Sequence, residues 1–291
     1  MPENGQNADQ KVIDDFGAEW KRFGQAELNE PERQRLFASY FAIFPWAKPP
    51  PSAVGMDIGC GSGRWAKSVA PRVGRLLAVD PAASALAVAR GNLAAQTNVS
   101  FHNTDVDHLP VGDGQLDFAY SLGVLHHVPN TASAIGAVAR KLKPGAPFLI
   151  YLSYVLDNRP LWFTQLWRAS NVLRTAIAAA PRPIKHLMCE VIAAAVYWPL
   201  ARVTRGVERI GIDVTNFPLS AYRSLSYYTM RADALDRFAT RIEHRFSRDQ
   251  IRSMMEDAGF VGITFHDGEP YWCALGFKSA VDGAVPARTF A

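Results

Sequence analysis

The stretch Asp57-Ile58-Gly59-Cys60-Gly61-Ser62-Gly63 decides the fold, because it follows a short apolar segment, Val54–Ile58, and opens a helical one. Glycine has no Cβ, so the chain can turn sharply there and approach a ligand closely. The following helix offers N–H groups that lack intrahelical partners. Asp80 ends the next apolar segment, where a carboxylate can accept hydrogen bonds from ribose hydroxyls. The alternative, that Asp80 only caps the helix beginning near Pro81, stays open.

Short apolar segments alternate with helical ones on both sides of this turn. Strands are predicted at 54–58, 75–80, 99–103, 116–120 and 147–152, and helices at 64–70, 82–94 and 131–142. Nearly continuous apolar strands are typical of a parallel sheet that helices cover on both faces. Near the C-terminal end, Phe260–Phe265 and Tyr271–Phe277 are predicted to form a hairpin. The sequence therefore predicts an α/β fold.

Two classes of cofactor fit the turn. Gly61-x-Gly63-x-x-Ala66 matches the dinucleotide fingerprint, which makes an NAD(P)-dependent oxidoreductase the first alternative. Asp57 argues against it, because a carboxylate two residues before Gly59 would repel a pyrophosphate. The same carboxylate would suit a cationic cofactor with an amino group, such as S-adenosylmethionine. Cys60 is interpreted as a small turn residue and not as a nucleophile.

Several ordered motifs together resemble the class I S-adenosylmethionine-dependent methyltransferases, in their type 11 branch of small-molecule enzymes. The resemblance covers about 54–154 well and 246–278 more loosely. Its motifs, in chain order, are Phe16–Phe23 (an N-terminal element of some bacterial members), Asp57–Gly63, Asp80, Asn103–Pro110, Asp117–Val128, Leu142–Ala146 and Arg248–Phe260.

The resemblance implies a Rossmann-like, doubly wound, seven-stranded mixed sheet with a reversed seventh strand and a helical lid inserted after strand five. We therefore predict an N-terminal helical cap over 1–52, a core over 53–155 and 246–280, and a substrate-binding lid over 156–245. The residues predicted to bind the cofactor are Trp20, Arg22, Asp57, Gly59, Cys60, Gly61, Gly63, Asp80, Pro81, Thr104, Asp105, Val106, Ser121, Leu122 and His126. Within this set Asp105 would meet the adenine amino group, and Trp20 or Arg22 would close over the methionine end.

The chemistry needs orientation of donor and acceptor, and a base only if the acceptor must lose a proton. His126, after the fourth strand, is the predicted base. The alternative is that His126 and His127 only shape their loop. Predicted acceptor-binding residues are His127, Tyr154, Trp162, Tyr222 and Arg223. No Cys/His cluster calls for a metal, so no metal is predicted.

Composition and charge indicate the solubility, the cellular location and the charged region of this chain. Hydrophobic residues make up 48% and charged residues 20%, as in ordinary soluble proteins. Three cysteines without motif spacing predict a reducing, cytoplasmic location. From Asp157 to Arg231 ten basic and four acidic side chains give a net charge of +6, so that the rest carries −2 within the total of +4.

This charged insert is interpreted as favouring an anionic or lipid-like acceptor, or an anionic membrane surface, over nucleic acid. Its longest uncharged run, Val191–Ala201, is too short to span a membrane, and Pro199 is expected to interrupt it. A peripheral membrane contact, a monomer and a homodimer all stay open.

The sequence thus predicts a cytoplasmic bacterial methyltransferase that transfers a methyl group to an O, N or C atom of a small or lipid-like molecule. A catalytically silent cofactor-binding or scaffolding protein is the second alternative.

Overall fold

The computed structural model describes residues 7–25 and 27–280 of the 291-residue chain. The first six residues of the predicted N-terminal cap therefore lie outside the described part. The chain divides into two compact units. Unit 1 comprises Met1–Gln25, Arg33–Val155 and Ile242–Ala291, and unit 2 comprises Ala26–Glu32 and Leu156–Arg241.

A seven-stranded mixed sheet forms the centre of unit 1, with the order β3-β2-β1-β4-β5-β7-β6. Strand β7 runs antiparallel to both of its neighbours, β5 and β6, and is the reversed strand of the predicted hairpin. The strands are β1 Val54–Ile58, β2 Arg75–Val79, β3 Val99–His102, β4 Phe118–Leu122, β5 Pro147–Tyr151, β6 Phe260–Phe265 and β7 Cys273–Lys278. The strand order reverses between β1 and β4, the position where open α/β sheets form a ligand crevice.

The fourth strand begins two residues later than the sequence predicts. Asp117 accepts a hydrogen bond from the Val54 N–H at 2.8 Å and pairs with Lys143 Nζ at 2.6 Å. Leu116 forms only an isolated bridge, to Leu142. These non-local contacts hold 116–117 as an entry segment, so the ladder starts at Phe118.

Helices cover both faces of this sheet. Those of unit 1 are α1 Gln10–Arg22, α2 Glu30–Tyr40 (whose first turn lies in unit 2), α3 Ala66–Val69, α4 Ala83–Asn92, α5 Thr131–Lys141 and α10 Arg248–Asp257. One apolar cluster packs between the sheet and α5 and α10, and a second packs Phe37 and Phe41 against Phe118 and Tyr120. Pro71 lies in a 3₁₀ turn, Ala70–Arg72, so α3 is shorter than predicted.

Unit 2 is helical, with α6 Leu161–Ala179, α7 Arg182–Ile192, α8 Trp198–Arg209 and α9 Tyr227–Ala239. The expectation that Pro199 interrupts the apolar run is wrong. A π-helical stretch, Ala193–Tyr197, joins α7 to α8 without a break. The proline ring would clash with the carbonyl four residues earlier, at Ala195, and a wider π turn relieves such a clash.

The uncharged run Val191–Ala201 is therefore only part of a longer helix. Arg182–Arg209 is continuous over 28 residues and contains an apolar stretch of 18 residues that is mostly exposed. By length and composition alone it is the one helix among the described residues that could cross a membrane. Such a finding is weak by itself, because core helices of soluble proteins meet the same criterion.

Candidate functional site

The Gly-rich turn has the backbone that its glycines predict. Gly59 and Gly61 have φ values of +73° and +52°, in the left-handed region that favours glycine. Two backbone bonds hold the turn at the end of β2, because the N–H groups of Gly59 and Cys60 both donate to the Val79 carbonyl, at 2.8 and 3.0 Å. A Cβ on Gly61 would lie 2.7 Å from Cε2 of Trp20. The turn is thus fixed and closely covered.

Helix α1 provides that cover. Gly17 lets the helix approach α4, since a Cβ there would lie 2.4 Å from Ser84 Oγ. One turn after Gly17 the Trp20 ring lies over Gly61, and directly before Gly17 the Phe16 ring packs on His127 at 4.8 Å between ring centroids. Arg22 is exposed, with its guanidinium over the Phe23 ring. The structure therefore places Trp20, and not Arg22, on the turn.

Asp57 lies at the end of β1 with 1% of its surface exposed. Its Oδ2 atom has no hydrogen-bond partner, and the same holds for the Tyr120 hydroxyl on the neighbouring strand. Burial raises the pKa of Asp57 to about 8; the nearby Tyr120 hydroxyl and the Ala66 backbone oppose the rise, and the nearby Asp80 charge adds to it. A buried polar atom without a partner is costly, so this carboxyl group is prepared for a ligand that donates hydrogen bonds or carries positive charge.

Asp80 joins the turn to the next helix. Its Oδ2 accepts from the Gly61 N–H at 2.9 Å, and its Oδ1 accepts from the Ala82 N–H at 2.8 Å. Burial raises its pKa to about 6, and these two N–H groups oppose the rise. The bond to Ala82 closes a turn before α4; it does not cap the helix, because the N-cap residue is Ala82 and no side chain caps it. Each oxygen retains a lone pair, so binding of ribose hydroxyls stays a compatible prediction.

The Cys60 thiol is 4% exposed, and burial together with Asp57 and Asp80 raises its pKa well above the ordinary value. A protonated, buried thiol is a poor nucleophile. This agrees with the interpretation of Cys60 as a small turn residue.

The segment predicted to meet the adenine is a short turn after β3. Asp105 Oδ1 accepts from the N–H groups of Asp107 and His108 at 2.9 and 3.1 Å, and from His108 Nδ1 at 2.8 Å. Thr104 closes the turn through a bond from its hydroxyl to the His108 carbonyl at 2.9 Å, and Val106 is buried. The Asp105 carboxylate thus orders its own turn, and its contact with an adenine stays a prediction.

The loop after β4 brings two buried histidines together, with ring centroids 4.0 Å apart. His127 Nδ1 lies 2.6 Å from the Ile242 carbonyl. His126 Nδ1 has no hydrogen-bond partner. Burial lowers the pKa of His126 well below its ordinary value, and His127 and Arg245 lower it further. His126 is therefore neutral at neutral pH, which is the form that a base needs.

Ser121 and Leu122, which were predicted to bind the cofactor, are the last two residues of β4, before the histidine loop. Ser121 donates to the Ile58 carbonyl at 3.0 Å and so ties β4 to the end of β1, and Leu122 is buried. The structure thus brings Trp20, Asp57, Gly59, Cys60, Gly61 and Asp80 together at the carboxyl edge of the sheet. Ser121 and His126 follow on the adjacent strand and loop.

The predicted acceptor-binding residues are divided between the units. Tyr154 lies in unit 1, packed on Tyr271 at 5.5 Å. Trp162, Tyr222 and Arg223 lie in unit 2. The Arg223 guanidinium donates to Glu208 Oε1 at 2.9 Å and to the Ser220 carbonyl at 2.8 Å, and Trp162 is exposed. Their role in acceptor binding stays a prediction.

Sequence reasoning missed four residues that shape this edge. Tyr120 faces Asp57, Gly17 admits α1, and Val124 lies where a Cβ on Gly59 would be. Asn103 donates to the carbonyls of Asp80 and Pro81 at 3.0 and 2.8 Å and so fixes the backbone directly after β2. Asn103 could have been identified, because an amide at the end of the third strand lies beside the end of the second. The other three depend on contacts between distant segments.

Among residues 7–25 and 27–280, no group of three or more His, Cys, Asp or Glu side chains could hold a metal ion.

Comparison with known proteins agrees with this geometry. The family model described as "Methyltransferase domain" matches residues 56–150, which include the Gly-rich turn, Asp80 and His126. The sheet has the order and the single reversed strand that the resemblance implies. Residues 56–150 therefore match a methyltransferase domain.

The curated relatives that match include several bacterial proteins named ubiquinone biosynthesis O-methyltransferase. The protein from Sodalis glossinidius is 33% identical over 41% of this chain and 48% of its own length. That from Hydrogenovibrio crunogenus is 31% identical over 40% of this chain and 49% of its own length. A solved N-methyltransferase from Bradyrhizobium japonicum WM9 is 18% identical, with a TM-score of 0.40 over 53% of this chain and 78% of that one. The chain spans about half the length of the curated relatives it matches.

Proposed function

We propose that this protein binds S-adenosylmethionine and transfers its methyl group to a hydroxyl oxygen of a small or lipid-like molecule. The observation that carries the proposal is the buried Asp57 carboxyl, whose Oδ2 atom has no hydrogen-bond partner, beside a closely covered glycine turn. An ammonium group would supply a hydrogen-bond donor for the Oδ2 atom and a positive charge to pair with the carboxylate, whereas a pyrophosphate offers neither. Nitrogen and carbon acceptors are the less favoured alternatives.

The residues present fit the cofactor. Asp57 would accept from its amino group, and the backbone at Gly59 and Gly61 would pass close to its amino-acid portion. Asp80 would accept from the ribose hydroxyls, and Asp105 and Val106 would face the adenine. Pro81 and Thr104 would complete the walls of this site.

S-adenosylmethionine, when bound, supplies a methyl group that a positively charged sulfur already activates. The chain must then orient the acceptor oxygen and accept its proton. His126 is neutral and follows β4, so it is the proposed proton acceptor. The His126 imidazole would take the hydroxyl proton as the acceptor oxygen receives the methyl group and the cofactor's sulfur keeps the bonding electron pair.

The choice of oxygen has two supports. The curated relatives are named O-methyltransferases. A hydroxyl also needs a base more than a neutral amine does, and the environment of His126 keeps it in the base form. Aromatic rings lie beside this histidine, with Tyr151 6.4 Å from it and Tyr40 5.2 Å from Tyr151. An aromatic hydroxyl compound would stack on such rings.

Titration calorimetry with S-adenosylmethionine, S-adenosylhomocysteine, NADH and NADPH tests the cofactor. We expect micromolar binding of the two adenosyl compounds alone. Binding of only a nicotinamide cofactor would instead establish the oxidoreductase alternative. A transfer assay with methyl-labelled cofactor, screened over phenolic and lipid-like hydroxyl compounds, then tests the reaction. Binding without transfer to any acceptor class would favour the silent alternative.

We also propose a cytoplasmic location, which the three buried cysteines without disulfide bonds support, and a lid role for unit 2. Cell fractionation followed by immunoblotting tests the location. Recovery with periplasmic or secreted markers would contradict it.

A further inference from the structure

Unit 2 presents apolar side chains on the outer faces of its helices. On α6, Leu166, Val172 and Leu173 are 52%, 72% and 45% exposed. On the long helix Arg182–Arg209, Leu187, Val191 and Val203 are 64%, 51% and 58% exposed. A helix at the surface of a soluble protein normally turns polar residues outward. These six side chains, which we call the outer apolar surface, reverse that pattern.

The inner side of the same helices is already occupied. Both α6 and α7 pack on α9. Ile177, Cys189 and Ile192 are buried, with 8% or less of their surfaces exposed. The outer apolar surface is therefore a second apolar face, beyond the one that folding of unit 2 requires.

Polar contacts fix the long helix against the rest of unit 2. Arg231 makes two bonds of 2.7 Å to the Glu190 carboxylate. The buried Lys185 donates to the Ala239 carbonyl at 3.2 Å, and Arg202 donates to the Leu225 carbonyl at 3.0 Å. Crossing a bilayer would break all of these contacts. The helix is therefore suited to lie along a membrane surface and not to span it.

The charges around the outer apolar surface are predominantly basic. Arg168, Arg205 and Arg209 are exposed on these helices. The acidic residues of the long helix are paired within the unit, Glu190 with Arg231 and Glu208 with Arg223. An apolar face bordered by arginines complements a layer of anionic lipid headgroups above acyl chains.

A second copy of the chain is a weaker candidate for the same face. A two-fold symmetric contact brings the same surface of both copies together. The exposed arginines would then face arginines of like charge. We propose that unit 2 docks through the outer apolar surface on an anionic lipid bilayer, with the long helix lying in the plane of the interface.

Co-sedimentation with vesicles tests this proposal. The full chain is mixed with vesicles of phosphatidylcholine alone, or of phosphatidylcholine with phosphatidylglycerol. We expect at least about tenfold tighter binding to the anionic vesicles, and weaker binding at raised salt. Leu187→Glu should lower that binding about tenfold or more, because it places a charge in the apolar contact. Arg205→Glu should lower it by about fivefold.

Matched controls lie in unit 1. Val261 is 53% exposed on β6, so Val261→Glu adds the same charge at a similarly exposed apolar position. Arg140→Glu reverses an exposed charge on α5. Both controls should bind vesicles as the unsubstituted protein does. Equal binding to both vesicle types, or equal loss in Leu187→Glu and Val261→Glu, would overturn the proposal.

Two further measurements separate the alternatives. If Leu187→Glu changes the oligomeric state in light scattering and leaves vesicle binding intact, the face is a contact between copies and the proposal fails. Calorimetry with S-adenosylmethionine in the absence of lipid reports on the proposed function alone. Circular dichroism confirms that each variant is folded.

Discussion

The carboxyl edge of the sheet and the outer face of the long helix depart from ordinary packing in opposite directions. At the sheet edge, unit 1 buries the Asp57 carboxyl and leaves its Oδ2 atom without a hydrogen-bond partner. On Arg182–Arg209, unit 2 exposes leucine and valine side chains. Folding alone favours neither arrangement, since buried polar groups and exposed apolar ones both cost free energy. Each departure therefore indicates a ligand: a small molecule that carries a donor for Asp57, and an extended lipid surface for the helix.

The largest effect is expected at His126. Replacing it, His126→Gln, should lower kcat about 100-fold or more, the scale of a lost general base, and should change the cofactor Kd much less. His266→Gln, in the segment between β6 and β7, is the matched control. Because the pKa of His126 lies below its ordinary value of 6.5, kcat of the unsubstituted enzyme should fall only when pH drops below that value. An unchanged kcat in His126→Gln would leave this histidine a structural role alone.

Gly61→Val should weaken binding of S-adenosylmethionine about 100-fold, because the new side chain strains a turn with φ of +52° and displaces Trp20. Gly114→Val provides a close control. Gly114 has φ of +65°, but no atom lies within 4 Å of the position that a Cβ would take. Gly114→Val therefore strains the backbone without a steric clash. Titration calorimetry measures the affinity of both variants for S-adenosylmethionine. Equal affinities would show that the turn does not bind the cofactor.

Asp57→Asn should weaken binding about 10- to 100-fold, as expected for a lost hydrogen bond to a charged group. With a pKa of about 8, Asp57 is protonated at pH 7 in the free protein, so binding of an ammonium group should release about 0.9 of a proton. Calorimetry in buffers of different ionisation enthalpy measures that release, and Asp57→Asn should abolish it. Affinity for the unsubstituted protein should rise with pH up to about 8 and then level off.

The same substitution should stabilise the free protein. The folded state holds the Asp57 proton more tightly than the unfolded chain, where the pKa is 3.8, so stability falls as pH rises from about 4 to about 8. At pH 8 we expect Asp57→Asn to raise the free energy of unfolding by about 2 kcal/mol or more. Urea unfolding at pH 5 and pH 8 measures this change. A loss of stability at both values would contradict the cost that we assign to burying the charged form of Asp57.

The smallest effect is expected on the outer face of unit 2. Leu187→Gln should change the free energy of unfolding by less than about 0.5 kcal/mol, since the side chain is 64% exposed. Leu149→Ala, at a fully buried leucine of β5, should cost about 2–5 kcal/mol. Thermal unfolding of both variants measures the difference. A large cost for Leu187→Gln would mean that this side chain supports the fold and would remove the contrast between the two regions.

Much of unit 1 could be predicted from the sequence, because its signals are local. Phe260–Phe265 forms a strand as predicted, and the C-terminal hairpin contains the reversed strand. The start of β4 could not be predicted, since Asp117 is held by Val54 and Lys143 from other segments. The break expected at Pro199 was wrong for a similar reason, because a π turn that no residue pattern signals absorbs the proline.

The sequence by itself determined the order of strands and helices, the left-handed glycines of the turn and the basic charge of the insert. Each of these depends on neighbours along the chain or on composition. The tertiary structure alone decided that Trp20 covers Gly61, that Tyr120 faces Asp57 and that the apolar side of Arg182–Arg209 is turned outward. These features depend on contacts between segments far apart in sequence, and such contacts are set by how the elements pack together.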